Sequence, residues 1–129
     1  MAQSFRELQV WQKAMQLTVA IYQLTRSFPR EELYGLTGQL RRAAVSVPSN
    51  IAEGHGRLSN REFTQFMSVA RGSVCELQTQ LEIARSLGFG TLKAIEEAER
   101  LSHEVGKMIF AFLGSLKSQP ARTLSTVNR

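Results

Sequence analysis

Ser59–Gly90, SNREFTQFMSVARGSVCELQTQLEIARSLGFG, is the stretch that decides the fold. Ser59 and Glu62 stand at S-x-x-E spacing, which satisfies amides left without partners at a helix start. Phe63, Met67, Ala70, Val74, Leu77, Leu81 and Ala84 then alternate at intervals of four and three, which gives one continuous apolar helix face. Gly88 and Gly90 close the run. The spacing predicts a helix over 60–87 that must bury its stripe against other elements.

The flanking segments supply those elements. Upstream, Leu36, Leu40, Ala44, Val47 and Ile51 share one face of a helix predicted over about 32–56, with Gly54 and Gly56 as its stop. Pro48 interrupts that helix by removing one backbone donor and crowding the carbonyl of Ala44, so a kink is expected there. Ser46, Ser49 and Asn50 lie beside it as candidates to satisfy the freed groups. Further upstream, Ser4 and Glu7 form another S-x-x-E pair. Val10, Ala14, Leu17, Ile21, Leu24 and Phe28 mark a helix over about 6–27, which Pro29 ends. Downstream, Thr91 is the expected N-cap of a helix over 92–117, with Ile95, Ala98, Leu101, Val105, Met108 and Phe112 inward. Four amphipathic helices joined by short breaks predict an all-α, antiparallel up-down four-helix bundle. It forms one domain over 1–117, and the polar, aperiodic 118–129 is expected to be a disordered tail.

Composition narrows the function classes. The 129 residues are 43% hydrophobic, with one cysteine, two histidines and no aspartate. Cys75 alone excludes an intramolecular disulfide framework and suits a reducing compartment. No apolar run approaches the roughly 20 residues that span a bilayer, and Arg6 and Glu7 interrupt any signal-peptide pattern, so a cytoplasmic protein without a membrane partner is expected. The net charge of +5 is spread along the chain rather than gathered in a basic arm.

Catalytic patterns are absent from the sequence. There is no phosphate-binding glycine loop, no nucleophile elbow and no Glu-x-x-His pair of the kind bundle metal sites use. Glu99 and His103 are one helical turn apart and read better as a surface pair than as ligands. Cys75, beside Glu76, lacks the positive surroundings that favour a thiolate and reads as a packing residue. The expectation is a non-enzymatic chain with no metal, no cofactor and no small-molecule substrate.

Two features remain. Twelve of the sixteen basic residues are arginines, whose planar fork suits phosphate. Arg41, Arg42, Arg57 and Arg61 are the candidate nucleic-acid contacts; pairing with glutamates across helices is the competing account. The helices also carry more apolar surface than one core uses. Leu8, Trp11, Met15 and Tyr22 form a second stripe on the first helix; Tyr34, Val45 and Ala52 lie opposite the core face of the second, with Gly38 among them; Gly72, Cys75, Thr79 and Ile83 face outward on the third. Aromatic anchors beside small residues have the composition of a subunit interface, although isolated exposed apolar residues need no explanation. The candidate interface residues are Leu8, Trp11, Met15, Tyr22, Tyr34, Val45, Ala52, Gly72 and Ile83.

The segments LQVWQKAM (8–15), SFPREELYGLTGQLRRAAVSVPSNIAEGHGR (27–57) and FTQFMSVARGSVCELQTQLEIARSLGF (63–89) resemble a bacterial family of four-helix-bundle proteins. Its members were first noticed as reading frames inside intervening sequences of 23S ribosomal RNA genes. The run Gln39–Gly54, QLRRAAVSVPSNIAEG, carries the resemblance most densely. The resemblance implies a four-helix bundle without established catalysis. It extends to the accessory-variability subunit of diversity-generating retroelements, which looks like a homopentameric barrel that binds nucleic acid and a reverse transcriptase. By that analogy this chain is a homo-oligomeric, pentameric adaptor for RNA, DNA or a nucleic-acid enzyme. The alternative is a protein–protein interaction module with no nucleic-acid role.

Overall fold

A computed structural model describes residues 4–118, so the tail expected to be disordered lies, beyond Ser118, outside the described residues. The chain forms four helices: α1 (Gln9–Thr25), α2 (Leu36–His55), α3 (Asn60–Leu87) and α4 (Leu92–Lys117). Each packs on the helix next to it in sequence, α4 closes against α1, and among the described residues the backbones of diagonal pairs stay farther apart. The helices therefore occupy the corners of a square. Cross-contacts fix their directions. Thr25 meets Arg41, Gly54 lies against Phe63 and Arg85 meets Glu99, each joining the end of one helix to the start of the next, so successive helices are antiparallel and α4 runs opposite to α1. This is the up-down bundle that the periodicity predicts.

The core is the stripe read from the sequence with one revision. Ala14, Leu17, Ile21, Leu40, Ala44, Val47, Ile51, Met67, Leu77, Leu81 and Val105 are fully enclosed. In α4, however, Ile109, Leu113 and Leu116 are buried while Met108 and Phe112 are only partly so. The stripe advances by four residues after Val105, and Phe112 turns aside to pack its ring 5.2 Å from that of Phe63. Such a step of four rather than three keeps a straight helix in register with its core.

Helix ends account for the other differences. Ser59 accepts from the Glu62 amide and Thr91 from the Ala94 amide, as their spacing predicts. Gly88 ends α3 in the left-handed conformation at φ 74°, which a side chain would oppose. The first helix starts later than 6. Ser4 caps only a 3-10 turn over Phe5–Glu7, and Leu8 is extended before α1 begins at Gln9. That offset lets Leu8 enter the core and sets the Phe5 ring 5.3 Å from Trp11. The second helix starts at Leu36 rather than 32, after a 3-10 turn over Arg30–Glu32, and the Glu32 carboxylate takes the Leu36 amide.

Gly54 is not a helix stop. It is buried in the last turn of α2, where a Cβ would lie 2.8 Å from Phe66 Cβ and 2.9 Å from Phe63 Cδ1. The bare backbone lets α2 and α3 approach. Pro48 lies buried inside α2, which continues through it. The Ala44 carbonyl, deprived of its partner four residues on, accepts instead from the Thr18 hydroxyl of α1 at 3.0 Å. The neighbouring polar residues serve another purpose. Asn50 donates to the Ser46 carbonyl and hydroxyl, and Ser46 and Ser73 share a 2.8 Å bond that ties α2 to α3.

Candidate functional site

The four candidate arginines do not converge. Arg41 and Arg42 lie in the first half of α2, whereas Arg57 and Arg61 bracket the α2–α3 turn. After Arg41, α2 continues for fourteen residues (42–55) before the turn that holds Arg57, which is about 21 Å along the helix. Their surroundings differ too. Arg41 donates from Nε to the Thr25 hydroxyl at 2.9 Å and stacks over Tyr22 at 4.6 Å, so α1 holds it in place. Arg57 pairs with Glu53 at 2.8 Å and lies over Phe66. Arg42 and Arg61 are exposed, and neither makes an ion pair among the described residues. Pairing with glutamate therefore accounts for Arg57 and not for the other three.

The candidate interface residues divide by environment. Leu8 is buried in the core, and Trp11 is half-buried with its ring against Phe5, so the bundle itself absorbs the top of that stripe. Ala52 is half-buried. Met15, Tyr22, Val45, Gly72 and Ile83 are exposed, and Tyr34, at 92%, projects almost completely into solvent. Val19, which the sequence reading passed over, is exposed between Met15 and Tyr22. The α1–α2 side is also poor in charge. α1 carries only Lys13, which reaches across to Glu104 of α4 at 3.2 Å, and Leu36–Ala52 carries only Arg41 and Arg42. A second apolar set, Val69, Gly72, Ile83 and Leu87, lies on the outside of α3, the corner diagonal to α1.

Charge collects on the remaining side. Arg100 lies between Glu97 and Glu104 on α4, and Arg85 crosses from α3 to Glu99. The hydrogen bond from Arg100 holds the Glu97 carboxyl below its ordinary range; Lys13 first, with Arg100, does the same to Glu104. The bond to Glu99 raises the Arg85 guanidinium further. Because Glu99 faces Arg85, the Glu99–His103 spacing does not make a ligand pair. Among the described residues, no three His, Cys, Asp or Glu side chains are grouped as a metal would need.

One concavity lies apart from the four candidate arginines and meets the outward stripe of α3 only at Cys75. Arg71, Val74, Cys75 and Gln78 of α3 and His103, Gly106, Lys107 and Phe110 of α4 line a groove of about 340 Å³. Gly106 opens it, since its missing side chain leaves Val74 at the floor. Phe110 was not singled out from the sequence, although its ring is 63% exposed. An apolar residue between the inward Ile109 and the half-buried Phe112 carries no periodic signal that separates it from the core.

No helix among the described residues is long and apolar enough to cross a membrane. No curated protein matches the chain in sequence. Among solved structures, it is similar to a protein of unknown function from the S23 ribosomal protein family of Bacteroides thetaiotaomicron. That likeness has 20% identity, covers 81% of this chain and 97% of the other, and has a TM-score of 0.72, which establishes a shared fold. The 23S rRNA-intervening sequence protein family matches residues 6–111, nearly the whole bundle. The chain belongs to the 23S rRNA-intervening sequence protein family.

Proposed function

We propose that the chain is the subunit of a non-enzymatic homo-oligomer, a pentameric helical adaptor that contacts nucleic acid or a nucleic-acid-processing enzyme. The observation that carries this reading is the sparse charge of α1 and of Leu36–Ala52, together with the exposure of Met15, Val19 and Tyr22 on α1 and of Val45 on α2. Water-facing helices ordinarily carry alternating charge, and an apolar side without it gains stability by covering. A second, different apolar set on the diagonal corner favours a head-to-tail contact, in which one surface meets another and a rotation that closes makes a ring. The number five rests on the family resemblance rather than on this geometry.

Ring symmetry repeats each unpaired arginine once per subunit. Arg42 and Arg61 become circles of like charge, which attract a polyanion more strongly than a single copy does. The test is binding of the full chain to mixed-sequence RNA and DNA over a salt series. The reading expects binding that weakens steeply with salt, and a shallower slope after Arg41→Ala and Arg42→Ala together. A salt-independent interaction, or a slope unchanged by the pair, removes the nucleic-acid half. The protein-interaction module then stands instead.

A further inference from the structure

The geometry points to the α3–α4 groove as a nucleotide-binding site, in which Phe110 is the stacking platform for a base and Arg71 and Lys107 hold its phosphate. This proposal rests on the nucleic-acid half of the function above and moves its base contact to residues outside the four candidate arginines.

Three observations support it. Phe110 exposes a ring beside a concavity, whereas the other ring contacts of the bundle (Phe5 with Trp11, Phe28 with Phe89, Phe63 with Phe112) join buried or half-buried partners. The Arg71 guanidinium lies over that ring, 5.3 Å from its centre, so cation and ring form one stack at the groove. Finally, the lining is electrically one-sided. Arg71 and Lys107 face the groove with the His103 imidazole and the Gln78 amide, and no carboxylate lines it. Elsewhere on the same seam Arg85 is matched by Glu99, yet neither Arg71 nor Lys107 makes an ion pair among the described residues. A volume of about 340 Å³ accommodates one flat ring with its phosphate. An aromatic face flanked by two cations is the arrangement with which proteins hold unpaired bases. A duplex hides its base faces, so the ligand is a free nucleotide or a single strand.

The experiment titrates the full chain with adenosine monophosphate and, separately, with a labelled 12-nucleotide single strand at fixed low salt. The expected result is binding that falls about fivefold to a hundredfold for Phe110→Ala, the range of a lost base stack. Phe110→Tyr retains it, and Arg71→Ala or Lys107→Ala weakens it and lowers its salt dependence. Binding of the mononucleotide alone identifies a free nucleotide as the ligand; a strong preference for the 12-mer identifies a strand. Strand binding that survives Phe110→Ala but falls with Arg41→Ala and Arg42→Ala overturns the groove and leaves the wider reading intact. If neither probe binds the unaltered protein, the groove is overturned, and the salt series with mixed RNA and DNA decides the wider reading separately. A change in sedimentation rather than in binding for Phe110→Ala makes the groove a subunit contact and likewise overturns the proposal.

Discussion

The Thr18 hydroxyl of α1 donates to the Ala44 carbonyl of α2 at 3.0 Å, four residues before Pro48. The same hydroxyl lies 2.9 Å from the Ala14 carbonyl, but that oxygen has the Thr18 amide of its own helix as a partner. The single proton is therefore needed at Ala44, the group that proline left without a donor. One residue of α1 thus compensates a defect in α2, and the two helices are joined at the point where α2 is weakest.

Replacing Thr18 by valine keeps the shape and removes the donor. Thr18→Val is expected to cost about 1–3 kcal/mol, the penalty for an enclosed carbonyl without a partner. Pro48→Ala returns an amide to the Ala44 carbonyl, so Thr18→Val costs less in that background. Denaturant unfolding of the two single variants and the double variant reads the coupling. Strict additivity contradicts the assignment.

Gly54 and Gly106 make opposite predictions from the same substitution. A methyl at Gly54 collides with Phe66 and Phe63, so Gly54→Ala is expected to destabilise by about 1–3 kcal/mol through overpacking. At Gly106 the nearest atom to a Cβ is Val74 Cγ1 at 3.7 Å, an ordinary contact. Gly106→Ala then stabilises by about 0.5–1 kcal/mol, since alanine restricts the unfolded chain more than glycine. Thermal melts of the two variants should move in opposite directions.

The charged side of α4 sets an acid limit. Glu97 and Glu104 titrate below the ordinary carboxylate value of 4.5 because Arg100 and Lys13 stabilise their charged forms. A carboxyl lowered by folding adds stability at neutral pH and loses it as pH falls through its folded value. Stability should therefore be flat above about pH 5 and decline below pH 4.5, with a smaller decline for Arg100→Gln. Both carboxylates are solvent-facing, so added salt should reduce the difference between the two proteins. An identical acid limb for the variant contradicts the ion-pair account.

How legible this was in the sequence depended on the range of the interaction. Ser59, Thr91 and Gly88 act within one turn of their own chain, and their spacing displays them. The stripe from Phe63 to Ala84 is equally local. The Thr18–Ala44 bond spans 26 residues, and no spacing rule joins a threonine to a proline-freed carbonyl on another helix. Gly54 read as a stop because glycine near a helix end usually is one; only the placement of Phe63 and Phe66 shows its packing role. The apolar excess on α1 was visible as a second stripe, but the turn at Phe5–Glu7 that folds Leu8 inward was not. The groove depends on which side chains of α3 and α4 face each other, and a single helix period cannot supply that register.

Everything proposed for the exposed stripes requires that other copies of the chain cover them. Sedimentation velocity of the full chain at micromolar concentration measures this directly. The account predicts one species at a multiple of 14.5 kDa that dissociates when Val19→Glu and Val45→Glu put charge at exposed apolar positions of α1 and α2. A stable species of 14.5 kDa, unaltered by those substitutions, contradicts it.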